Sequence, residues 1–192
     1  MLIKNEFQVA APVDKVWQFF GDIPQVAACL PGTELTDDLG GDRYAGRVAV
    51  RMGPVRLQFA GKADITERDE TAKRVVVNAS GAEEKGRGQA SMVVTAALAP
   101  AGRGTKVSVT QDLQLSGAAA QYGRGMISDV SAVLMRDFSV NLADRIDRAE
   151  RGETVTGPAI APASGFTLGM RAALMALRRV FRRFFVPYHA AS

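Results

Sequence analysis

Between Tyr44 and Leu115 the chain alternates apolar and polar residues through one turn after another; past Gly117 the alternation ends and one long stripe begins. A two-residue period builds sheet with one buried face, and a period near four builds a helix with one buried edge. Tyr44, Gly46, Val48, Val50 and Met52 share a face. Gly53-Pro54 turns the chain. Val55, Leu57, Phe59, Gly61, Ala63 and Ile65 then point one way, and Arg56, Gln58, Lys62 and Asp64 the other. Asp69-Glu70-Thr71, Gly86-Arg87-Gly88 and Gly102-Arg103-Gly104 set off further strands over 74–79, 90–98 and 105–115. The long stripe is Tyr122, Met126, Val130, Leu134, Phe138, Leu142 and Ile146, widened by Ile127 and Val133. An apolar sheet face must be covered, and this helix is the long element able to cover it. The expectation is an α+β fold: a strongly curved antiparallel sheet of about seven strands wrapped on a long helix.

The start of the chain fits that plan. Leu2 to Ala11 reads as a first strand. Pro12 to Phe20 reads as a short helix, with Val13, Val16, Trp17 and Phe20 on one face, and a second short helix spans Pro24 to Cys29. Gly123 and Gly125 fall early in the long helix. They serve close helix–sheet packing, a late helix start or a pliable rim.

Beyond residue 150 the composition changes. Gly152, Gly157, Pro158, Pro162 and Gly165 make 151–165 a flexible linker. The segment from 166 to 192 carries Arg171, Arg178, Arg179, Arg182 and Arg183 and no acid. At about 100° per residue these cations gather on one side, opposite Phe166, Met170, Leu174, Leu177, Val180, Phe181 and Phe184. Such a helix suits a bilayer interface, with its apolar face in the acyl boundary and its cations on anionic headgroups. Docking on its own domain or on a partner protein is a second use of such a face, and calmodulin-like or nucleic-acid binding a third, although the clustered Phe residues argue against nucleic acid. Central arginines disfavour spanning. Six arginines and Glu153 give the chain beyond residue 150 a charge of +5, which leaves 18 basic and 19 acidic residues in 1–150. The body is therefore near neutral and lacks a nucleic-acid footprint. Three regions follow: 1–150, the linker 151–165 and the basic amphipathic tail 166–192.

Catalysis finds little support. The single histidine, His189, lies near the end of the tail, so no Ser-His-Asp or Cys-His arrangement can be assembled in the body. The single cysteine, Cys29, reads as a small buried hydrophobe and leaves no internal disulfide or zinc cluster. Glu83-Glu84 reads as a solvated turn, and no metal site is expected. Met1 to Glu6 lacks the apolar core of a signal peptide, so the expected location is cytoplasmic, peripheral on the inner face of the membrane.

The order of strand, two short helices, strands and long helix resembles the helix-grip, START-like superfamily. Cys29-Leu30-Pro31-Gly32 follows Asp22-Ile23-Pro24. Tyr44-Ala45-Gly46-Arg47-Val48 leads to Met52-Gly53-Pro54-Val55 and Phe59-Ala60-Gly61. Gly104-Thr105 opens the last strand, and Ser116-Gly117 leads to Tyr122-Gly123-Arg124-Gly125-Met126-Ile127. In this order and spacing these words resemble the carbon monoxide dehydrogenase G-subunit family over about residues 1–148. The resemblance implies a non-catalytic accessory of an aerobic molybdenum-containing carbon monoxide dehydrogenase, attached to the cytoplasmic membrane. It implies a fold able to hold a hydrophobic lipid, and with the tail it suggests a respiratory quinone, menaquinone or ubiquinone. Tyr44, Phe59, Met92, Gln111, Tyr122, Met126 and Val130 are the expected walls of that cavity. Gln111 is the polar exception on an apolar face, bonded either to a neighbouring backbone or a buried water, or to a ligand carbonyl. The rival readings are a membrane-docking adaptor without a ligand, and a cyclase or hydrolase.

Overall fold

The computed structural model describes residues 1–153. The linker beyond Glu153 and the whole amphipathic tail lie outside the described residues. The chain runs through β1 (Leu2–Val9), α1 (Val13–Gly21), α2 (Ile23–Cys29), β2 (Thr33–Asp38), β3 (Arg43–Met52), β4 (Val55–Asp69), β5 (Arg74–Glu83), β6 (Gln89–Ala101) and β7 (Gly104–Leu115). A short 3-10 turn (Gly117–Gln121) leads into α3 (Arg124–Glu150). The strands form one sheet in the order β1-β7-β6-β5-β4-β3-β2, with every neighbouring pair antiparallel. From β2 to β7 this is a meander of hairpins. The α1–α2 excursion takes β1 to the far edge, beside β7. The helix-grip arrangement expected from the sequence is present.

Two elements differ from the expectation. β2 was not legible as a strand, because its sequence Thr-Glu-Leu-Thr-Asp-Asp alternates too weakly. It is an edge strand paired with β3, and Glu34, Asp37 and Asp38 suit an edge that must not recruit another strand. The long helix also starts later than Gly117, at Arg124, which is the late start that the early glycines allowed. Gly117 has φ +67, and a Cβ there would lie 2.1 Å from the Arg87 carbonyl oxygen, so the chain must cross the β5–β6 turn before it can coil into a helix. Gly123 is extended (φ −60, ψ 149) and caps α3 rather than belonging to it.

α3 lies closest to β1 and next to α2, and across the sheet it also approaches β3, near the opposite side of the curve. Two separate apolar clusters fill the ends of the space beneath it. One joins Val9, Val16, Phe20, Cys29, Leu98, Val107, Phe138, Leu142 and Ile146. Here Phe138 meets Phe7 and Phe20 edge to face, with ring centres 5.9 and 6.5 Å apart. The other cluster joins Ile3, Met52, Leu57, Phe59, Ala119, Ile127 and Val130, with Tyr122 and Leu134 against it.

Polar side chains tie helix to sheet between the clusters. Asn5 donates to Ser131 Oγ (3.1 Å), and Ser131 donates to Gln111 Oε1 (3.2 Å). Arg145 donates to Gln25 Oε1 (2.7 Å), and Asn141 to the Cys29 carbonyl (2.9 Å), fastening α2 to α3.

Candidate functional site

Strand register places inward-facing residues side by side in rows. One row runs Leu35–Gly46–Gly61–Gly81–Ala90–Leu115 across β2 to β7. The next runs Tyr44–Ala63–Ala79–Met92–Leu113. At their β7 ends, Ala90, Leu113 and Leu115 pack on the second cluster. Leu35, Tyr44, Ala63, Ala79 and Met92 pack on neither cluster, and with the three glycines all are half-buried. The centre of the inner sheet face thus belongs to neither apolar cluster. There the floor is Gly and Ala, and Tyr44 and Met92 stand at its sides.

The glycines are required by the curvature. A Cβ on Gly61 would lie 2.0 Å from the Ser80 carbonyl oxygen and 2.6 Å from Gly81 Cα. A Cβ on Gly46 would lie 2.6 Å from the Glu34 carbonyl oxygen, and one on Gly81 2.9 Å from that of Ala60. The neighbouring backbone occupies the space a side chain would need, so coiling of the sheet and the bare floor have one cause.

The expected wall residues do not all converge on this floor. Tyr44 and Met92 flank it. Burial pushes the Tyr44 hydroxyl above its ordinary range, aided by Asp38 and Asp42, which keeps it a proton donor. Phe59, Val130 and Tyr122 belong to the second cluster. Gln111 lies on the inner face, but its carbonyl accepts from the Ser131 hydroxyl, a side-chain partner on α3 and neither the backbone nor the ligand expected from the sequence. Met126 is 43% exposed, contrary to its expected place on the inner stripe. A strict four-residue repeat rotates about 40° per step on a helix of 3.6 residues per turn, so four steps back from Leu142 bring Met126 to roughly the opposite side. The membrane candidates Arg171, Arg178, Arg179, Arg182, Arg183, Phe181 and Phe184 lie outside the described residues.

Sequence reasoning missed two inner polar groups. Glu83 is buried rather than a solvated turn residue, and it faces inward beside Phe59. Its carboxylate accepts from Arg87 Nη2 (2.7 Å) and Nε (3.2 Å), and from the backbone N–H groups of Lys85 (2.9 Å) and Arg87 (3.2 Å). The Arg87 guanidinium holds this carboxyl down to about 2 against the burial that would raise it. The inward place of Glu83 follows from extending the β5 alternation through Gly81. The second missed group is Thr33, whose Oγ1 is buried without a hydrogen-bond partner. An unmade bond of this kind costs about 1–3 kcal/mol. Nothing in the local sequence signals it.

A cleft of about 170 Å³ opens beside α1, lined by Trp17, Phe20, Gly21, Arg68, Glu70 and Val75. Arg68 there donates to Asp42 (3.1 Å) and the Gly21 carbonyl (3.4 Å), fixing the β2–β3 turn against the end of α1. Burial pushes the Cys29 thiol up to about 12, with Arg145 opposing, so this thiol is not an activated nucleophile. Among the described residues no three potential ligands gather as a metal site, and no helix is long and apolar enough to cross a membrane.

A family model for the carbon monoxide dehydrogenase G-subunit (CoxG) matches residues 6–147. No curated protein matches the chain. Among solved structures, the chain is similar to a conserved protein from Geobacillus kaustophilus, at 18% identity and TM-score 0.69, over 78% of this chain and 97% of that one. A Thermus thermophilus protein is similar at 18% identity and TM-score 0.56, over 78% and 99% of the two chains. The Zhui aromatase/cyclase from Streptomyces sp. R1128 is similar at 16% identity and TM-score 0.57, over 82% and 98%. At such identities these likenesses establish the fold alone.

Proposed function

The chain belongs to the carbon monoxide dehydrogenase G-subunit family, and from that premise we propose that it is a non-catalytic, membrane-tethered accessory of an aerobic molybdenum carbon monoxide dehydrogenase. It works on the inner face of the cytoplasmic membrane. It carries a hydrophobic lipid, a respiratory quinone by this reading, between the enzyme and the membrane electron transport chain. One observation carries the proposal: the part of the inner sheet face outside both clusters is apolar, floored by Gly46, Gly61, Gly81, Ala63 and Ala79 and flanked by Tyr44 and Met92. A flat apolar ring or an isoprenoid chain can lie on such a surface where branched side chains would exclude it, and a few polar groups suffice to orient it. The basic, Phe-rich segment 166–192 supplies the means of staying where such lipids reside. A dehydrogenase in the cytoplasm cannot itself reach into a bilayer, and a tethered carrier answers that need.

Lipid extraction and mass spectrometry of the purified full-length chain test this reading. A quinone at close to one per chain supports it. An empty protein that still binds anionic vesicles and the dehydrogenase supports a docking adaptor instead. Changing Arg178, Arg179, Arg182 and Arg183 together to Gln removes cations worth about 1 kcal/mol each at an anionic surface. Vesicle affinity should therefore fall by up to roughly 10³-fold, as read by co-sedimentation. Undiminished co-sedimentation refutes the tether.

A further inference from the structure

Thr33 begins β2, and register sets it opposite Val48, itself opposite Phe59, which faces Glu83. It therefore faces the inside of the sheet, one row from the bare glycines. Same-face neighbours along a strand are about 7 Å apart. Its Oγ1 is buried and has no hydrogen-bond partner. Buried polar side chains elsewhere in this interior are engaged: Gln111 with Ser131, Glu83 with Arg87, and Thr105 with the Ala11 carbonyl (2.7 Å). Native proteins seldom leave such a group unmatched, and an orphan is a reason to look for the absent partner.

The backbone at Thr33 cannot easily move to find one. Gly32 has φ +79, and a Cβ there would meet the Ala49 carbonyl oxygen at 2.4 Å, so the loop is pressed against β3. The Gly32 carbonyl accepts from the Ala49 N–H (2.9 Å), and the Thr33 N–H donates to the Leu30 carbonyl (3.2 Å). Thr33 is also β-branched, which limits χ1. The hydroxyl is held in place beside an apolar floor, which is how a specificity group in an apolar site is built.

We propose that the Thr33 hydroxyl is the hydrogen-bond donor that seats a carbonyl oxygen of an apolar ring laid on the glycine row. The assignment rests on the lipid-carrying reading above and adds its recognition chemistry: a ligand with a carbonyl acceptor at one edge is chosen over a hydrocarbon of the same shape. The hydroxyl donates a proton into a hydrogen bond and no covalent change occurs.

The test uses the full chain and two probes of one skeleton, menadione (2-methyl-1,4-naphthoquinone) and 2-methylnaphthalene. Binding is followed by quenching of Trp17, the single tryptophan. Thr33→Val keeps the shape and removes the hydroxyl. It should weaken menadione roughly five- to tenfold and leave 2-methylnaphthalene unchanged. Thr33→Ser should retain the preference for menadione. The ligand-free Thr33→Val protein should melt no lower than wild type, since it loses an unmatched polar group. Equal menadione affinity in wild type and Thr33→Val overturns the assignment while leaving the carrier reading standing. Equal weakening of both probes, or a lower melting temperature without ligand, also overturns it. A wild type that binds neither probe overturns the carrier reading and this assignment together. If Thr33→Val does not fold, infrared spectroscopy of menadione bound to wild type decides: a carbonyl stretch moved to lower frequency is expected, and an unshifted stretch refutes the bond.

Discussion

Replacing Gly61 by alanine adds one methyl group where the sheet has no room for it. The new Cβ would lie 2.0 Å from the Ser80 oxygen, 2.6 Å from Gly81 Cα and 2.8 Å from the Ser80 carbonyl carbon. All three atoms are backbone, so no side chain can rotate away and the strands themselves must part. Overpacking a well-filled site costs about 1–3 kcal/mol, and with backbone on every side the upper end applies. For a chain of this size that corresponds to a melting temperature lower by roughly 6–12 °C. Gly81→Ala meets its nearest atoms at 2.9, 3.3 and 3.4 Å, so it should cost less, about 1 kcal/mol. Gly123→Ala meets nothing within 4 Å at a φ of −60, but it replaces a favoured N-cap residue by a disfavoured one, so gain and loss offset and stability should stay within about 1 kcal/mol of wild type. Urea unfolding of the full chain with each single substitution gives the ranking. A Gly61→Ala protein that unfolds within about 0.5 kcal/mol of wild type, or one more stable than Gly81→Ala, would refute the claim that coiling along this row demands glycine.

Ser131→Ala should destabilise by about 1–3 kcal/mol, because Asn5 and Gln111 lose their shared partner inside the protein; urea melts check this. Glu83 is held at about 2, below its ordinary 4.5, by Arg87. Its contribution to stability is therefore complete above pH about 4.5 and is lost as the pH falls through 2. Glu83→Gln should unfold at lower urea than wild type at pH 7 and show a shallower loss between pH 4.5 and 2.5; identical pH profiles would refute the pairing. Cys29, raised to about 12, should react with iodoacetamide at pH 8 at least about 10³-fold more slowly in the native protein than in urea; mass spectrometry of timed samples reads the rate.

The fold was legible because two periods carry it. Alternation in β3, β4, β6 and β7 and the stripe of α3 are both consequences of burying one face, and burial is what composition records. β2 escaped because an edge strand exposes most of its residues, and charges there serve a different need. The candidate site was legible in part. Tyr44 and Met92 could be assigned to the inner face from alternation alone. The partnership of Gln111 with Ser131 could not, since it depends on how α3 sits over β7, and no local pattern sets that. Met126 was misplaced because a four-residue repeat drifts around a helix of 3.6 residues per turn. Thr33 was invisible for a related reason: whether a buried hydroxyl finds a partner is decided by its surroundings and not by its own strand.

The glycine and alanine floor has an entropic consequence. Covering a surface of long side chains freezes their rotamers, at a cost of up to about 2 kcal/mol for the largest, whereas Gly and Ala have no rotamers to lose. Whatever lies across Gly46, Gly61, Gly81, Ala63 and Ala79 therefore orders nothing beneath it. The loss of freedom on contact falls on the occupant and on the side chains at the edges, Tyr44, Met92 and Leu35. Tyr44 is a stiff ring with few torsions, while Met92 is a flexible chain that can follow an irregular outline. With Leu35 closing the end of the glycine row, the protein presents one immobile surface, one rigid edge and two adaptable side chains, so its accommodation to the shape of an occupant is concentrated at Met92 and Leu35.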